Sequence, residues 1–384
     1  MASDLIDVIV VGAGVMGLCT AYHAAKDGFK PLILEQFPRG HSRGSSHGKS
    51  RIIRYAHGDA TFLPIMKESY AFWEELERST GETLINKCGM LWLSDENATK
   101  SCSRILSDHG VKHKLLPGKE IQTVFPQLRY GDELFGLLDP EGGVIFADKC
   151  LKAVQLEAVK NGAQFHFEEK LLEIKSEKHH IVVITDKSVY NTKSLVVTVG
   201  GWLNQILPDL VVGTKAKQIG VMYWNVQKNH ELYEPQGNCP TLAIQDKGDL
   251  MYMLPPVEYP GQIKFCLDGG PEIDPNMPLN EIPQWVQEAP RKHIAKHLID
   301  IDASKPATID KCMYTMTNDS NYIIGRYPSD PRIVVGGGFS GTGFKLSIYV
   351  GRMLTDLHQA QALKAKMGGK SNTHNTIYTT IVTL

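Results

Sequence analysis

Residues 8–35 constrain the fold of this chain more than any other stretch. Val8, Ile9, Val10 and Val11 form a β-branched run that predicts a buried strand. Gly12, Gly14 and Gly17 follow at G-x-G-x-x-G spacing, residues 18–26 predict a helix, and residues 31–34 predict a second strand ending in Glu35. Each glycine has a physical role in such a unit. Gly12 permits the tight turn, Gly14 lets the backbone approach a pyrophosphate, and Gly17 lets the helix pack on the strand. The helix N-terminus offers N–H groups and partial positive charge to phosphates. Glu35, eighteen residues after Gly17, stands where an acid takes ribose hydroxyls and disfavours a 2′-phosphate. The unit therefore predicts dinucleotide binding, with NADP disfavoured and both FAD and NAD open.

At 384 residues the chain suits two domains, and its net charge of −1 gives no electrostatic case for nucleic acid or a membrane surface. No apolar run approaches a membrane span, and the first strand begins too early to leave room for a signal peptide. The seven cysteines are scattered without a C-x-x-C, so neither a disulfide framework nor a metal site is expected, and an intracellular setting is. The last three residues, Val382-Thr383-Leu384, do not match an S-K-L peroxisomal address, which leaves the cytoplasm open.

Further along, residues 36–50 are a Gly, Ser, His and Arg-rich loop leading into Arg51-Ile52-Ile53-Arg54. Residues 63–80 carry Leu63, Met66, Tyr70, Trp73 and Leu76 at helical spacing. Residues 88–94 read as a strand, 98–109 as a helix, 136–146 as turn-rich, and 147–161 as a helix. Residues 170–199 alternate as strands of a small antiparallel piece, closing on a β-branched run that ends at Gly200-Gly201. Residues 214–268 are β-like runs broken by Pro and Gly, the pattern of an antiparallel sheet inserted between nucleotide-binding segments. A second glycine cluster at 336–343 lies between a Val-rich strand and a closing helix at 347–363. A cofactor met by glycine turns more than 300 residues apart suits an extended FAD rather than NAD.

The motifs G-A-G-V-M-G at 12–17, G-S-S-H-G-K-S-R-I-I-R at 44–54, V-T-V-G-G-W at 197–202, K-C-M-Y-T-M-T at 311–317 and G-F-S-G-T-G-F-K at 338–345 resemble those of the sarcosine oxidase family of flavoprotein amine oxidases. The likeness runs over roughly residues 5–360. It implies roles that the residues alone do not. By itself Cys312 reads as a buried small hydrophobe and Lys264 as a strand lysine on a solvated face. By resemblance Cys312 forms an 8α-S-cysteinyl thioether to FAD, and Lys264 promotes the reaction with oxygen. Arg54 and Lys345 match the pair that binds the substrate carboxylate, a role that suits a guanidinium fork and an ammonium. Arg51 and His47 match residues near the flavin ring, and Tyr252 and Tyr314 match the pocket walls. The expected cofactor set is Gly12, Gly14, Gly17, Glu35, Leu171, Gly200, Cys312, Gly341 and Gly343, with no metal.

Asp268 departs from the bacterial members, which carry a histidine four residues after the lysine. An acid there attracts a cationic amine but opposes loss of its proton, which leaves two readings open: a substrate other than sarcosine, or an Asp268 side chain that points elsewhere. The resulting expectation is an α/β protein with a Rossmann-like FAD-binding domain (1–80, 145–212 and 305–365) and an antiparallel-sheet substrate domain (81–144 and 213–304). Residues 366–384 form a tail that the pattern does not place. The implied activity is oxidation of sarcosine, another N-methyl amino acid, or proline or pipecolate to an imine, with oxygen reduced to hydrogen peroxide. The alternatives are a flavin dehydrogenase serving a carrier protein and a non-catalytic flavin-binding protein. A monomer and a peroxisomal location are the family defaults.

Overall fold

The structure is a computed structural model that describes residues 5–210, 212–234, 238–366 and 382–383. The chain divides into two compact units: Met1–His47, Cys150–Ala216 and Met313–Leu384 form one, and Gly48–Lys149 with Lys217–Cys312 form the other. The expected division placed residues 48–80 in the first part. The helix Phe62–Thr80 instead belongs to the second unit, where Glu77 Oε1 accepts from the Leu84 and Ile85 amides and the Tyr70 hydroxyl donates to the Glu141 carbonyl. The tail expected at 366–384 lies outside the described residues, apart from residue 366 and the short strand Val382–Thr383.

The first unit is built on a seven-stranded sheet. Its strands run in the order Val382–Thr383, Ile323–Tyr327, Asp330–Gly337, Leu195–Val197, Ile9–Val11, Leu32–Glu35, Gln164–Phe167. The last five are parallel. Ile9, Val10 and Val11 are all buried, as are Leu195, Val196 and Val197, because a parallel sheet covered on both faces favours continuous apolar runs over alternation. The helix Val15–Lys26 meets the helix Ser347–Lys366 at very short range: a Cβ at Gly351 would stand 2.5 Å from the Cys19 carbonyl carbon. Polar contacts pin this approach, His23 Nε2 to the Ile348 carbonyl at 2.8 Å and Thr355 Oγ1 to the Thr20 carbonyl at 3.2 Å. The small antiparallel piece comprises Leu171–Ser176, Ile181–Thr185 and Val189–Thr192.

The second unit carries most of an eight-stranded sheet ordered Thr308–Thr317, Thr214–Asn225, Gln262–Leu267, Asp249–Leu254, Thr241–Asp246, Met90–Ser94, Phe135–Asp139, Lys114–Pro117. Trp224, Phe265, Met253, Leu242 and Leu91 join Val286 and Ile294 of the helix Gln284–His297 in its core. The sheet is not uniformly antiparallel as expected, since Thr241–Asp246 pairs parallel with Met90–Ser94. Each of these strands also has an antiparallel partner, Asp249–Leu254 for the first and Phe135–Asp139 for the second, and the two pieces join along strands that run the same way. The stretch read as turn-rich holds two strands, Phe135–Asp139 and Gly143–Phe146, which enter different sheets.

Both units bury histidines. Burial, followed by the charge of Arg352, lowers His23 to about 3. Burial lowers His358 to about 4, and burial together with His297 and Lys296 lowers His293 to about 3. Each is neutral in the fold and titrates near 6.5 when unfolded. Their contribution is therefore fully present above pH 6.5 and is lost as pH falls towards 3, at about 1.4 kcal/mol per pH unit per imidazole. Urea unfolding is expected to show a midpoint that falls steadily from pH 7 to pH 5, before most carboxylates titrate. A midpoint that stays level over that range would mean that the imidazoles accept protons without unfolding.

Candidate active site

Three loops leave the same edge of the parallel sheet in the first unit. They follow Ile9–Val11, Leu195–Val197 and Asp330–Gly337, and each carries glycines. Gly12 has φ +99°, and a Cβ there would lie 2.6 Å from the Thr198 carbonyl oxygen. A Cβ at Gly17 would lie 1.8 Å from the Gly12 oxygen. Those two glycines are required by the packing of the chain on itself. Gly14 differs, because only the Ser46 hydroxyl lies near, 3.3 Å from where a Cβ would be. Its bare backbone is thus the one left open to a phosphate at the start of the helix Val15–Lys26. Ser46 also accepts from the Val15 amide at 3.0 Å, which ties the loop to the helix N-terminus.

Glu35 is fixed at the end of its strand. Its Oε2 accepts from the Ala13 amide at 2.9 Å and its Oε1 from the Phe37 amide at 3.0 Å, with His41 Nε2 3.7 Å away. Burial raises this carboxyl, but the bonds from His41, Ala13 and Phe37 outweigh it and hold the group below the ordinary carboxylate range. A carboxylate has about four acceptor positions, so Glu35 keeps capacity for ribose hydroxyls. The glycine turn, the open Gly14 backbone and this acid fit an ADP moiety.

The distant glycine cluster reaches the same place. A Cβ at Gly343 would stand 3.0 Å from Met16 Cε, in the first turn of the N-terminal helix. The turn 338–343 is fastened to the strand before it: the Ser340 amide donates to the Thr315 carbonyl at 3.0 Å, and the Thr317 amide donates to Ser340 Oγ at 3.2 Å. Gly341 has φ +77°, and Ser340 adopts the left-handed conformation at φ +44°. Lys345 is buried just beyond, its Nζ donating to the Thr342 carbonyl at 3.1 Å. Gly200 opens a 3₁₀ turn, with Thr315 Oγ1 3.9 Å from where its Cβ would be. His47 bonds the Gly44 carbonyl through Nδ1 at 2.8 Å. Tyr314 is half-buried in the strand Thr308–Thr317. Leu171 packs its side chain in the apolar cluster with Ile9 and Leu32.

In the second unit, the strand Ser50–Ile53 and the sheet strand Gln262–Leu267 bring Arg51 and Lys264 to one carbonyl. Arg51 Nη1 donates to the Ser50 carbonyl at 2.8 Å, and Lys264 Nζ approaches the same oxygen at 3.2 Å. Lys264 also donates to Ser50 Oγ at 2.6 Å and to Glu258 Oε1 at 2.5 Å. The side chains of Lys264 and Glu258 are 4% and 6% exposed, so the pair is out of water. Burial pushes the Lys264 ammonium below its usual range, and Glu258 opposes that shift. Cross-strand pairing of Tyr252 with Cys266 and of Leu254 with Lys264 sets Tyr252 on the same sheet face as Lys264. Asp268 is exposed just past the end of that strand, and Cys312 is buried in Thr308–Thr317.

Arg54 follows the same short strand, and its neighbours are held by Asp139. The Asp139 Oδ2 accepts from the Tyr55 amide at 2.6 Å and the Ala56 amide at 3.1 Å, while Oδ1 accepts from Glu141 at 3.1 Å. Sequence reading singled out none of Ser46, Ser50, Asp139 and Glu258. The D-P-E-G-G turn beginning at Asp139 and the short turn between Glu258 and Lys264 were the available signals. Among the described residues no group of His, Cys, Asp and Glu could hold a metal, and no helix is long and apolar enough to cross a membrane.

Residues 7–357 match the family of FAD dependent oxidoreductases. A putative sarcosine oxidase of Caenorhabditis elegans is 39% identical, over 93% of this chain and 94% of that protein. The peroxisomal sarcosine oxidase of Homo sapiens is 37% identical, over 92% of each. The structure of L-proline dehydrogenase from P. horikoshii superposes with a TM-score of 0.79, covering 92% of this chain and 93% of that one at 22% identity, a likeness of fold.

Replacing Asp139 by Ala removes the acceptor of three amides beside Arg54. Each buried donor left without a partner costs about 1–3 kcal/mol. Asp139→Ala is therefore expected to lower the unfolding free energy by about 3 kcal/mol or more, read from urea titration. A loss below about 1 kcal/mol would show that the loop finds other acceptors.

Proposed function

Because the chain belongs to the FAD-dependent oxidoreductase family and, within it, to the sarcosine oxidases, we propose that it oxidises secondary amino acids at the expense of oxygen. The observation that carries the oxidase reading is the buried Lys264, which bonds Glu258 and Ser50 and shares a carbonyl with Arg51. A fixed cation in a water-poor site favours negative charge appearing beside it, as when oxygen takes its first electron. FAD, when bound, takes two electrons and a hydrogen from the amine carbon and passes the electrons to oxygen, giving an imine and hydrogen peroxide.

The protein's part is binding and charge. Arg54 presents a planar fork that takes a carboxylate bidentately, and Lys345 adds a second positive charge. Tyr252 and Tyr314 would wall the substrate, and Arg51 and His47 would lie near the flavin. Gly12, Gly14, Gly17, Glu35, Gly200, Gly341 and Gly343 hold the cofactor. Cys312 would anchor it through a thioether, an S–C bond in place of its S–H and one flavin methyl C–H, with oxygen as the acceptor of the two electrons released. The amine reacts as the neutral base, so no protein group need remove its proton. The imine hydrolyses afterwards, with release of formaldehyde when the substrate was N-methylated. Peroxide release fits a peroxisomal setting, and a monomer fits the resemblance.

Anaerobic mixing with sarcosine, other N-methyl amino acids, proline and pipecolate identifies the substrate by bleaching of the flavin. In air one hydrogen peroxide is expected per amine consumed. Bleaching without peroxide would mark a dehydrogenase serving another acceptor, and no bleaching by any of them would remove the enzymatic reading. Lys264→Met is expected to slow flavin reoxidation about 10²–10³-fold, the usual effect of losing one preorganised charge or donor, while leaving anaerobic reduction near normal. Equal slowing of both half-reactions would take Lys264 out of that role. Cys312→Ala is expected to release flavin on acid precipitation, and flavin that stays with the protein would exclude the thioether.

A further inference from the structure

The contacts around Lys264 define its protonation state by geometry. Ser50 Oγ has one hydrogen, which it donates to Glu258 Oε1 at 2.8 Å, so it can only accept from Lys264. The Ser50 carbonyl only accepts, and it already takes Arg51. Glu258 Oε1 accepts from Lys264, from Ser50 Oγ and from the Ser50 amide at 3.0 Å. Three acceptors therefore face Lys264 Nζ, and only an ammonium has three hydrogens to meet them. A neutral amine would turn its lone pair on one of these acceptors. The three bonds are unequal: those to Glu258 and Ser50 Oγ are short, and that to the Ser50 carbonyl is the longest at 3.2 Å.

Other groups facing the amine do not favour its charge as strongly. Arg51 repels it, and burial penalises it. Tyr223 lies beneath it with the ring centroid 5.6 Å away, and Cys266 is a buried thiol two residues along the strand. Tyr259 packs edge-on to Tyr223 and donates to Asp310 at 3.2 Å, so that carboxylate is already engaged. Among the described residues Glu258 is the one carboxylate in contact with Lys264, and its ionised form is held by that contact and by Ser50 against the cost of burial. Its second oxygen, Oε2, is buried with no hydrogen-bond partner among the described residues.

We propose that Glu258, with Ser50, is the positioning residue that keeps Lys264 an ammonium and leaves one of its three donors, the one on the Ser50 carbonyl, able to turn to reduced oxygen. The proposal rests on the reading of Lys264 as the oxygen-site cation. It adds a separate claim: the lysine's charge is conditional on a carboxylate six residues earlier in the chain.

The experiment compares the FAD-loaded wild type with Glu258→Gln, Glu258→Asp, Ser50→Ala and Lys264→Met, and reads three quantities. These are anaerobic reduction by substrate, reoxidation by oxygen from pH 6 to pH 9.5, and a static pH titration of the oxidised flavin's visible spectrum without turnover. Wild type and Glu258→Asp are expected to reoxidise at a level rate across the range. Glu258→Gln is expected to lose at least tenfold in reoxidation between pH 7 and pH 9, with reduction little changed. A spectral transition at the same pH is expected in Glu258→Gln and absent from Glu258→Gln combined with Lys264→Met. Ser50→Ala shifts the same way by less, and it supplies the test if Glu258→Gln does not fold. A level pH profile in Glu258→Gln with no spectral transition, or the same profile in Glu258→Gln and Glu258→Asp, overturns the proposal. If Lys264→Met reoxidises normally, the oxygen-site reading fails, while the spectral titration still decides whether Glu258 holds the lysine's proton.

Discussion

The contact of residue 17 with the carbonyl of Gly12 is the constraint from which the rest of the first unit follows. A Cβ 1.8 Å from that oxygen is impossible, so only glycine lets the helix Val15–Lys26 start this close to the strand Ile9–Val11. The close start sets the height of the helix on the sheet. The Ser347–Lys366 helix then comes against Cys19 at a distance that only Gly351 allows, and Gly343 comes to Met16. Chain segments more than 300 residues apart are thus brought to one sheet edge by backbone contacts. The cofactor cradle belongs to the packing of the unit itself, and Gly14 is the position in it where the backbone is left bare for a ligand.

The second unit solves a different problem, the burial of cations. Two unit charges 4 Å apart interact by about 4 kcal/mol at an effective dielectric constant of 20. Arg51 and Lys264 share one carbonyl acceptor, so their repulsion is a real cost. Glu258 at 2.5 Å from Lys264 offsets it, and the Ser50 hydroxyl links the two charges by donating to one and accepting from the other. The cluster as a whole keeps one net positive charge, counting Arg51, Lys264 and Glu258 as ionised. That is the sign the proposed oxygen site requires, obtained without leaving a buried ammonium to bear the full desolvation cost.

What could be read in the sequence was whatever is local. The strand–helix–strand at 9–35 shows in β-branched runs and glycine spacing, and the helix Phe62–Thr80 shows in the periodicity of its aromatic residues. The family likeness matched Arg51 and Lys264, 213 residues apart, to positions expected near one cofactor, and in the structure both bond the Ser50 carbonyl. What stayed hidden depends on partners far away in the chain. Glu258 sits in a loop between strands, where a glutamate has no pattern to distinguish it, and its meaning comes from Ser50, 208 residues earlier. Asp139 precedes Pro and looks like a turn residue, while its real task is to accept the amides of Tyr55 and Ala56. The parallel joint between Thr241–Asp246 and Met90–Ser94 is equally beyond local pattern, because strand direction is decided by which distant strand pairs meet.

Asp268, four residues after Lys264, is exposed, and that limits what its charge does to any group beside it. A carboxylate in contact with water acts through a high dielectric constant, where a charge 4 Å away feels about 1 kcal/mol. That is less than one pKa unit, since one unit corresponds to about 1.4 kcal/mol. An exposed carboxylate such as Asp268 therefore has little hold on the acidity of a neighbouring group. The contrast with Glu258 is one of environment. Both are carboxylates near the end of one strand, four residues after and six residues before the same lysine. The buried one is strong enough to fix a proton on its partner. The exposed one is too well solvated to hold a neighbouring charge in the same way.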